Sequence, residues 1–307
     1  MDATTMNWKG VLGRQYSPSL LWAYFRMSKP VVWGVLVVTA ILGYLIAALL
    51  AGQFSATEFV LMTVALAAGT AGCESVTNYI DLPLDSVMAR TFSRPLPTGE
   101  VQGTSALALG AMLLGVALAL SAFLGLLFVG LMAFGILDNI LIYSYWLKRR
   151  SSQSILWGGF SGAVPILFGA LAANPAGWVL GLALFAFVYL WTPPHIWAIA
   201  AEYREDYARA GVPMLPVVTE RPVWGSATAV FTGALILDSG IILYLVRWAW
   251  VPLFLLAVLG AALITLLAGF LRDPDIRAKP LFHYLNLYLI GGLAVILFAA
   301  WAPAPWW

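Results

Sequence analysis

"NYIDLPLDSVMARTFSRPLPTG", residues 78–99, decides how this chain is read. It holds Asp81, Asp85, Arg90 and Arg94, and it follows an apolar run over residues 57–79. That run is long enough to cross a bilayer. Charge is costly in hydrocarbon, so a cluster of it at the end of a span marks a membrane surface and a candidate site. The rest of the chain is built for lipid. Of 307 residues, 62% are hydrophobic and only 10% charged, with a mean hydropathy of +0.90. A soluble domain carries about 25% charged residues. The composition predicts a polytopic, all-α membrane protein, with 14 Trp available as interface anchors.

Nine apolar runs are candidate spans: residues 30–50, 57–79, 103–120, 123–146, 153–172, 177–199, 226–246, 250–270 and 283–302. Between the third and fourth the chain is expected to turn near Leu120–Leu124. The connections alternate in character. Those after the second, fourth, sixth and eighth runs are charged, and the others are nearly uncharged. Of 16 Lys and Arg, 15 fall on the charged side together with the N-terminal segment, and only Arg247 falls opposite. The positive-inside rule then predicts a cytoplasmic N-terminal segment over residues 1–29, four cytoplasmic loops and an outside C-terminus. Residues 1–29 hold no long apolar core, so no secretory leader is expected there. The single cysteine, Cys73, rules out an intrachain disulfide and a Cys-based metal site, and its small-residue surroundings read as packing.

Asn78, Asp81 and Asp85 are spaced i, i+3, i+7, which puts three oxygen-bearing side chains on one helical face. Such a set suits a hard divalent cation, and Mg²⁺ is commonly held by one or two carboxylates together with substrate phosphates. Arg90 and Arg94 follow, and guanidinium matches phosphate oxygens. Carboxylates, metal and arginines together describe a site for a phosphorylated anion. The plainer alternative is a solvated loop. Pro83 is expected to kink the helix near Tyr79–Pro83.

A second acidic group, Glu202, Glu205 and Asp206 in "AEYREDYARAGVPMLP", is spaced i, i+3, i+4 and ends at Gly211 and Pro213. Two facing acidic clusters could each hold a metal on one diphosphate, with Tyr203 and Arg204 as added donors. Surface pairing of Glu205 with Arg209 is the plainer account. Lys148 leads "KRR" after the fourth run and is placed to reach a diphosphate, as is Lys29 in "SKP". Ser28 is expected to cap the first span and Pro30 to open it. Glu74, Asp138 and Asp238 fall inside spans, where an acid is a functional candidate or an interior hydrogen-bonding group. His195, in "WTPPHIW", follows two prolines that are expected to break or bend its helix and turn it toward a cavity. It could ligate a metal, act as a base or bond a neighbour.

Five stretches together resemble the UbiA-like membrane prenyltransferase superfamily and, within it, the protohaem IX farnesyltransferases. They are "SKP" (28–30), "NYIDLPLDSVMARTFSRPLPTGEV" (78–101), "YSYWLKRRSSQSILWGGFSGAVP" (143–165), "WTPPHIWAIAAEYREDYARAGVPMLPVV" (191–218) and "LFHYLNLYL" (281–289). The chain departs from the family pattern at Thr77, Leu82-Pro83, Phe92 and Glu205, where the family often carries Asn, a charged pair, Arg and Asp. The resemblance implies one domain over residues 1–307, nine transmembrane helices and a cytoplasmic-side cavity. It implies Mg²⁺-dependent transfer of a farnesyl group from farnesyl diphosphate to a vinyl group of haem b, making haem O. Carried over by position, Asn78, Asp81 and Asp85 hold one metal, and Glu205 and Asp206, beside Glu202, the other. Arg90, Arg94 and Lys148, with Lys29, Tyr203 and Arg204 near them, grip the diphosphate. His195 contacts haem. The implied setting is the cell inner membrane, next to a downstream haem A synthase or terminal oxidase, with no nucleic acid.

Two other readings share parts of the pattern. One is a same-fold prenyltransferase acting on a quinone precursor or a chlorophyllide. The other is an ion-coupled transporter using Asp138 and Asp238.

Overall fold

Hydrocarbon offers no partner for a backbone N–H or C=O, so a spanning chain must satisfy both within a helix. The computed structural model describes residues 19–247 and 249–302 and follows that constraint throughout. Its elements are α1 (Leu20–Met27), α2 (Pro30–Ala51), α3 (Ala56–Asp85), α4 (Gly103–Leu124) and α5 (Leu126–Leu137), which continues as a π-helix over Asp138–Leu147. Then come α6 (Ser154–Ala173), α7 (Trp178–Glu202), the short α8 (Arg204–Arg209) and α9 (Leu215–Val218), α10 (Arg221–Val246), α11 (Trp250–Arg272) and α12 (Pro274–Trp301). Among the described residues, nine helices are long and apolar enough to span, α5 being counted with its π-helical extension.

The spans match the sequence reading in number and order, and differ at their polar ends. At 30 residues, α3 is about 45 Å long, well beyond the roughly 30 Å of hydrocarbon. Its last turns carry Asp81 and Asp85 past the bilayer as helix, running through Pro83. Likewise α12 starts at Pro274 rather than at residue 283, with proline in the first turn and Asp275 favourable to the helix dipole. The turn after α4 falls at Gly125, whose φ of +120° only glycine adopts readily. Lys29, not Ser28, is the cap residue of α2, and it holds φ +52°. Ser28 instead donates from Oγ to the Phe25 carbonyl and accepts from Trp33 Nε1.

Residues 1–18 of the expected N-terminal segment, with Lys9 and Arg14, lie outside the described residues. The described part forms α1, with Ser19 Oγ accepting the Trp22 N–H. Ala23 and Met27 pack on Leu96, Val101 and Ala106, while Leu20, Leu21, Trp22 and Phe25 are exposed. A short helix with that apolar outer face fits the membrane interface. Every described Lys and Arg except Arg247 lies at the end of the bundle where α3 and α7 stop.

Small residues let the helices approach, as expected where lipid provides no hydrophobic drive between them. A Cβ on Gly169 of α6 would sit 2.1 Å from the Ala40 carbonyl oxygen of α2, and one on Gly43 would sit 2.7 Å from the Ile166 oxygen. Farther toward the charged end, α2, α3, the π-helix, α6, α7 and α12 part around a cavity of about 660 Å³. Gly169→Ala is expected to force α2 and α6 apart and cost about 1–3 kcal/mol. Gly233→Ala, with nothing within 4 Å, is the control and should cost nothing. Thermal unfolding of the two variants in detergent checks this, and equal transition temperatures would refute the close-contact account.

Candidate active site

Among the described residues six carboxylates at the charged end of the bundle lie beside a cation, and four of them bear on the site. Asp81 is 4% exposed and accepts from Lys148 Nζ at 2.5 Å, joining α3 to the residue that ends the π-helix. Asp85, also buried, is gripped by Arg94 Nη1 at 3.0 and 2.8 Å. That contact folds the 86–102 loop back over α3, and Thr91 Oγ1 adds a bond to the Asp85 carbonyl. Asp206 accepts the Arg90 backbone N–H at 3.2 Å and pairs with Arg209. Glu74 pairs with Lys29 at 2.9 Å. Asn78 donates from Nδ2 to the Met27 carbonyl, tying α3 to the end of α1. Burial pulls the Lys148 ammonium down, but the Asp81 carboxylate and the Tyr143 phenol more than offset this, so the group sits above its ordinary value. Lys148 therefore stays charged through neutral pH.

The second acidic group is arranged differently from its spacing. The helix breaks at Tyr203 (φ −108°, ψ 34°), so Glu202 ends α7 while Glu205 and Asp206 belong to α8. The three do not share one face. Glu202 turns to Lys279 at 3.3 Å, Glu205 and Arg204 are exposed, and Asp206 alone is buried. An apolar cluster of Leu84, Met88, Tyr207, Val212 and Met214 sets α8 against the end of α3 and brings Asp206 to the Arg90 N–H. Tyr203 lies under the Arg90 guanidinium, 5.7 Å from ring centre to carbon. Arg209 takes Asp206 rather than Glu205. Arg149, the next residue after Lys148, donates to the Ile80 carbonyl at 2.8 Å.

Below this shelf lies the large cavity. Glu74, Asn139, Tyr143, His195 and Asn286 are among its polar lining, and Val, Leu, Ile and Gly make up much of the rest of the wall. Of the expected break or bend, α7 shows no break, running on through Pro193 and Pro194, and His195 borders the cavity. Its ring is stacked between Trp191 (centroids 4.2 Å apart) and Phe282 (4.4 Å), and its Nδ1 is buried without a hydrogen-bond partner. The i, i+4 spacing of Trp191 and His195 was visible in sequence, whereas Phe282 of α12 was not. Asp138 accepts the Ser161 N–H at 2.9 Å and so binds the π-helix to α6. Asp238 does not border the cavity.

The shelf suits a hard divalent cation. Asp81 Oδ1 is buried with no hydrogen-bond partner, so an unused carboxylate oxygen stands beside Asn78 on the same helix. Among the described residues no three His, Cys, Asp or Glu side chains already converge.

Comparison with known proteins agrees with this architecture. The chain is 39% identical over 274 residues to "Protoheme IX farnesyltransferase 1" of Picrophilus torridus, covering 87% of this chain and 90% of that protein. It is 36% identical over 270 residues to "Protoheme IX farnesyltransferase" of Thermoplasma acidophilum, covering 87% and 93%. The fold is similar to that of a digeranylgeranylglyceryl phosphate synthase structure, with a TM-score of 0.77, 20% identity and coverage of 92% and 99%. It also resembles a UbiA homolog from Archaeoglobus fulgidus bound to GPP and Mg²⁺, with a TM-score of 0.58, 16% identity and coverage of 89% and 99%. At those identities the structural likeness carries the fold. The UbiA prenyltransferase family matches residues 36–290, and the chain belongs to that family.

Proposed function

We propose that this protein transfers a farnesyl group from farnesyl diphosphate to a vinyl group of haem b, making haem O. The observation that carries the reading is a shelf of paired carboxylates and cations directly above a wide apolar cavity. The relatives that share a third or more of its sequence are named for this reaction. The diphosphate sits on the shelf, gripped by Arg90, Arg94, Lys148 and Lys29, with Tyr203 and Arg204 at its edge. Asp81, Asp85 and Asp206, supported by Asn78 and with Glu202 and Glu205 farther out, form the acidic set that would hold Mg²⁺. Bound there, Mg²⁺ would neutralise charge that builds on the departing diphosphate.

The chain's own residues do the rest. The cations favour the leaving group more strongly as its charge grows, which is how such sites lower a barrier. The apolar walls take the farnesyl chain and keep bulk water from the allylic cation. The Trp191–His195–Phe282 stack would offer flat surfaces to a macrocycle. In this reading the charged end is cytoplasmic, the C-terminus is outside and the membrane is the cell inner membrane. The product then passes to a haem A synthase or terminal oxidase.

Membranes given haem b and farnesyl diphosphate should yield, with Mg²⁺ and not with chelator, haem heavier by one farnesyl and one hydroxyl group. Unmodified haem under conditions where a relative is active would refute the substrates. Asp81→Asn should slow diphosphate release about 100- to 1,000-fold, the scale of losing one preorganised charge contact. Lys148→Met should do similarly, and the double variant should lose little more, because the two residues form one unit. Unchanged release in Asp81→Asn would remove Asp81 from the site, and additive losses would separate it from Lys148.

A further inference from the structure

The proposed reaction ends with a step for which the shelf has no role. The farnesyl C1–O bond breaks with its electron pair on diphosphate, and the vinyl π pair makes the new carbon–carbon bond. A cation is left on the carbon next to the macrocycle. Hydroxylation then needs one water, whose oxygen lone pair makes the C–O bond and whose proton must be taken up. The same cation can instead lose a proton from the adjacent carbon and give an alkene. A cavity that excludes bulk water must therefore hold one water in a defined place.

The cavity has a level where that is feasible. Glu74 lies seven residues before Asp81 on α3, and His195 lies seven before Glu202 on α7. Seven residues of α-helix are about 10 Å, so Glu74 sits about 10 Å beneath Asp81, and His195 about 10 Å before the end of α7. Asn139 lies nine residues before Lys148, on the π-helix, whose wider turns put it at a similar depth. All three line the cavity. The Ser and Thr hydroxyls of the lining are already committed to their own helices: Thr70 to the Leu66 carbonyl, Ser161 to Gly158 and Thr192 to Val188. Two buried polar atoms of this lining have no partner, Asn139 Oδ1 and His195 Nδ1. A buried acceptor without a donor costs about 1–3 kcal/mol, and in a polar corner of a roomy cavity a water is the ordinary remedy. The Asp138–Ser161 bond fixes the start of the π-helix, and so the position of Asn139.

We propose that Asn139 is a positioning residue that holds the capturing water at this level, with Glu74 as the group that receives its proton. Asn139 Oδ1 accepts one O–H and aims the oxygen lone pair into the cavity. The Glu74 carboxylate takes the proton as the C–O bond forms. This inference rests on the haem farnesyl-transfer reading.

The test is product analysis with the full-length protein in membranes, supplied with haem b, farnesyl diphosphate and Mg²⁺. The readouts are diphosphate release and the ratio of hydroxylated product to the alkene product, which is lighter by one water. Asn139→Leu should keep diphosphate release within a few-fold of wild type while the ratio falls at least about tenfold, equivalent to about 1.4 kcal/mol between the two exits. Asn139→Ser, which keeps an oxygen and leaves room for water, should retain most of the hydroxylated product. Glu74→Gln should also shift the ratio toward alkene. An unchanged ratio in Asn139→Leu overturns the proposal, and so does loss of both products with an unaltered unfolding transition, which would put Asn139 in acceptor binding. If Asn139→Leu does not fold, the Asn139→Ser and Glu74→Gln ratios decide alone, and wild-type ratios in Glu74→Gln and alkene excess in Asn139→Ser each count against it. If wild-type protein makes no farnesylated haem, the reaction itself is wrong, which the wild-type lane reports separately.

Discussion

A carboxylate at the edge of hydrocarbon needs a cation of its own, and the charged end of this protein is organised by that need. Asp81 and Lys148 join the end of α3 to the end of the π-helix. Asp85 and Arg94 fold the loop after α3 back on it, and Glu74 and Lys29 fix the entry to α2. Breaking a buried pair by removing one partner typically costs about 3–5 kcal/mol, because the other charge is left without compensation. The same pairs that hold the mouth together store separated charge there. In the proposed reading, a diphosphate bound with a divalent cation would offer both partners at once: Lys148 and Arg94 would turn to phosphate and Asp81 and Asp85 to metal, with little net change in the number of charge contacts. That exchange would make a closed, neutralised mouth and a binding site compatible in one structure.

The cavity beneath follows from the same economy of polar groups. Where small residues meet, as at Gly43, Gly169 and Ala40, α2 and α6 touch backbone to backbone. Toward the charged end the same helices part, and the lining changes to Val31, Val35, Ile155 and Gly158 around a few polar side chains. The π-helix contributes here. Its i→i+5 bonding, seen in the Lys148 N–H to Tyr143 carbonyl bond at 2.8 Å, lets Asn139 and Tyr143 border the cavity while Lys148 reaches Asp81. π-helical turns often occur at functional sites for this reason.

Most of the fold was legible in the sequence because span length and charge sidedness are imposed by the bilayer. The polar ends of α3, α7 and α12 were not, since a hydropathy reading stops where the charges begin although the helix continues. The opening motif was legible as a helical face, and Asp81 and Asp85 are indeed both buried on α3. The Glu202, Glu205, Asp206 face was not, because the break at Tyr203 depends on how α8 packs on Leu84 and Met88. Which cation takes which acid was equally hidden. Lys148 and Asp81 are 67 residues apart, and only the assembled bundle brings them together. Orphaned atoms such as Asn139 Oδ1 are invisible to any pattern, since they are defined by a partner that the fold withholds.

The transporter reading fails on the same physical grounds. Alternating access through a bundle generally uses helices broken near the membrane midplane, whose freed backbone groups bind the cargo. Here α7 runs on through Pro193 and Pro194, and α3 through Pro83 near its charged end. The two acids that suggested a pathway do not form one. Asp138 is tied to the Ser161 N–H as a clamp between helices. Asp238 lies away from the cavity, next to the Ser239–Tyr288 pair. The charges that could act on a ligand are instead gathered at one end, above a chamber walled mainly with apolar side chains. That asymmetry suits a substrate with a charged head and a long apolar body that stays on one side of the membrane while its bond is broken, and it does not suit a cargo that must cross.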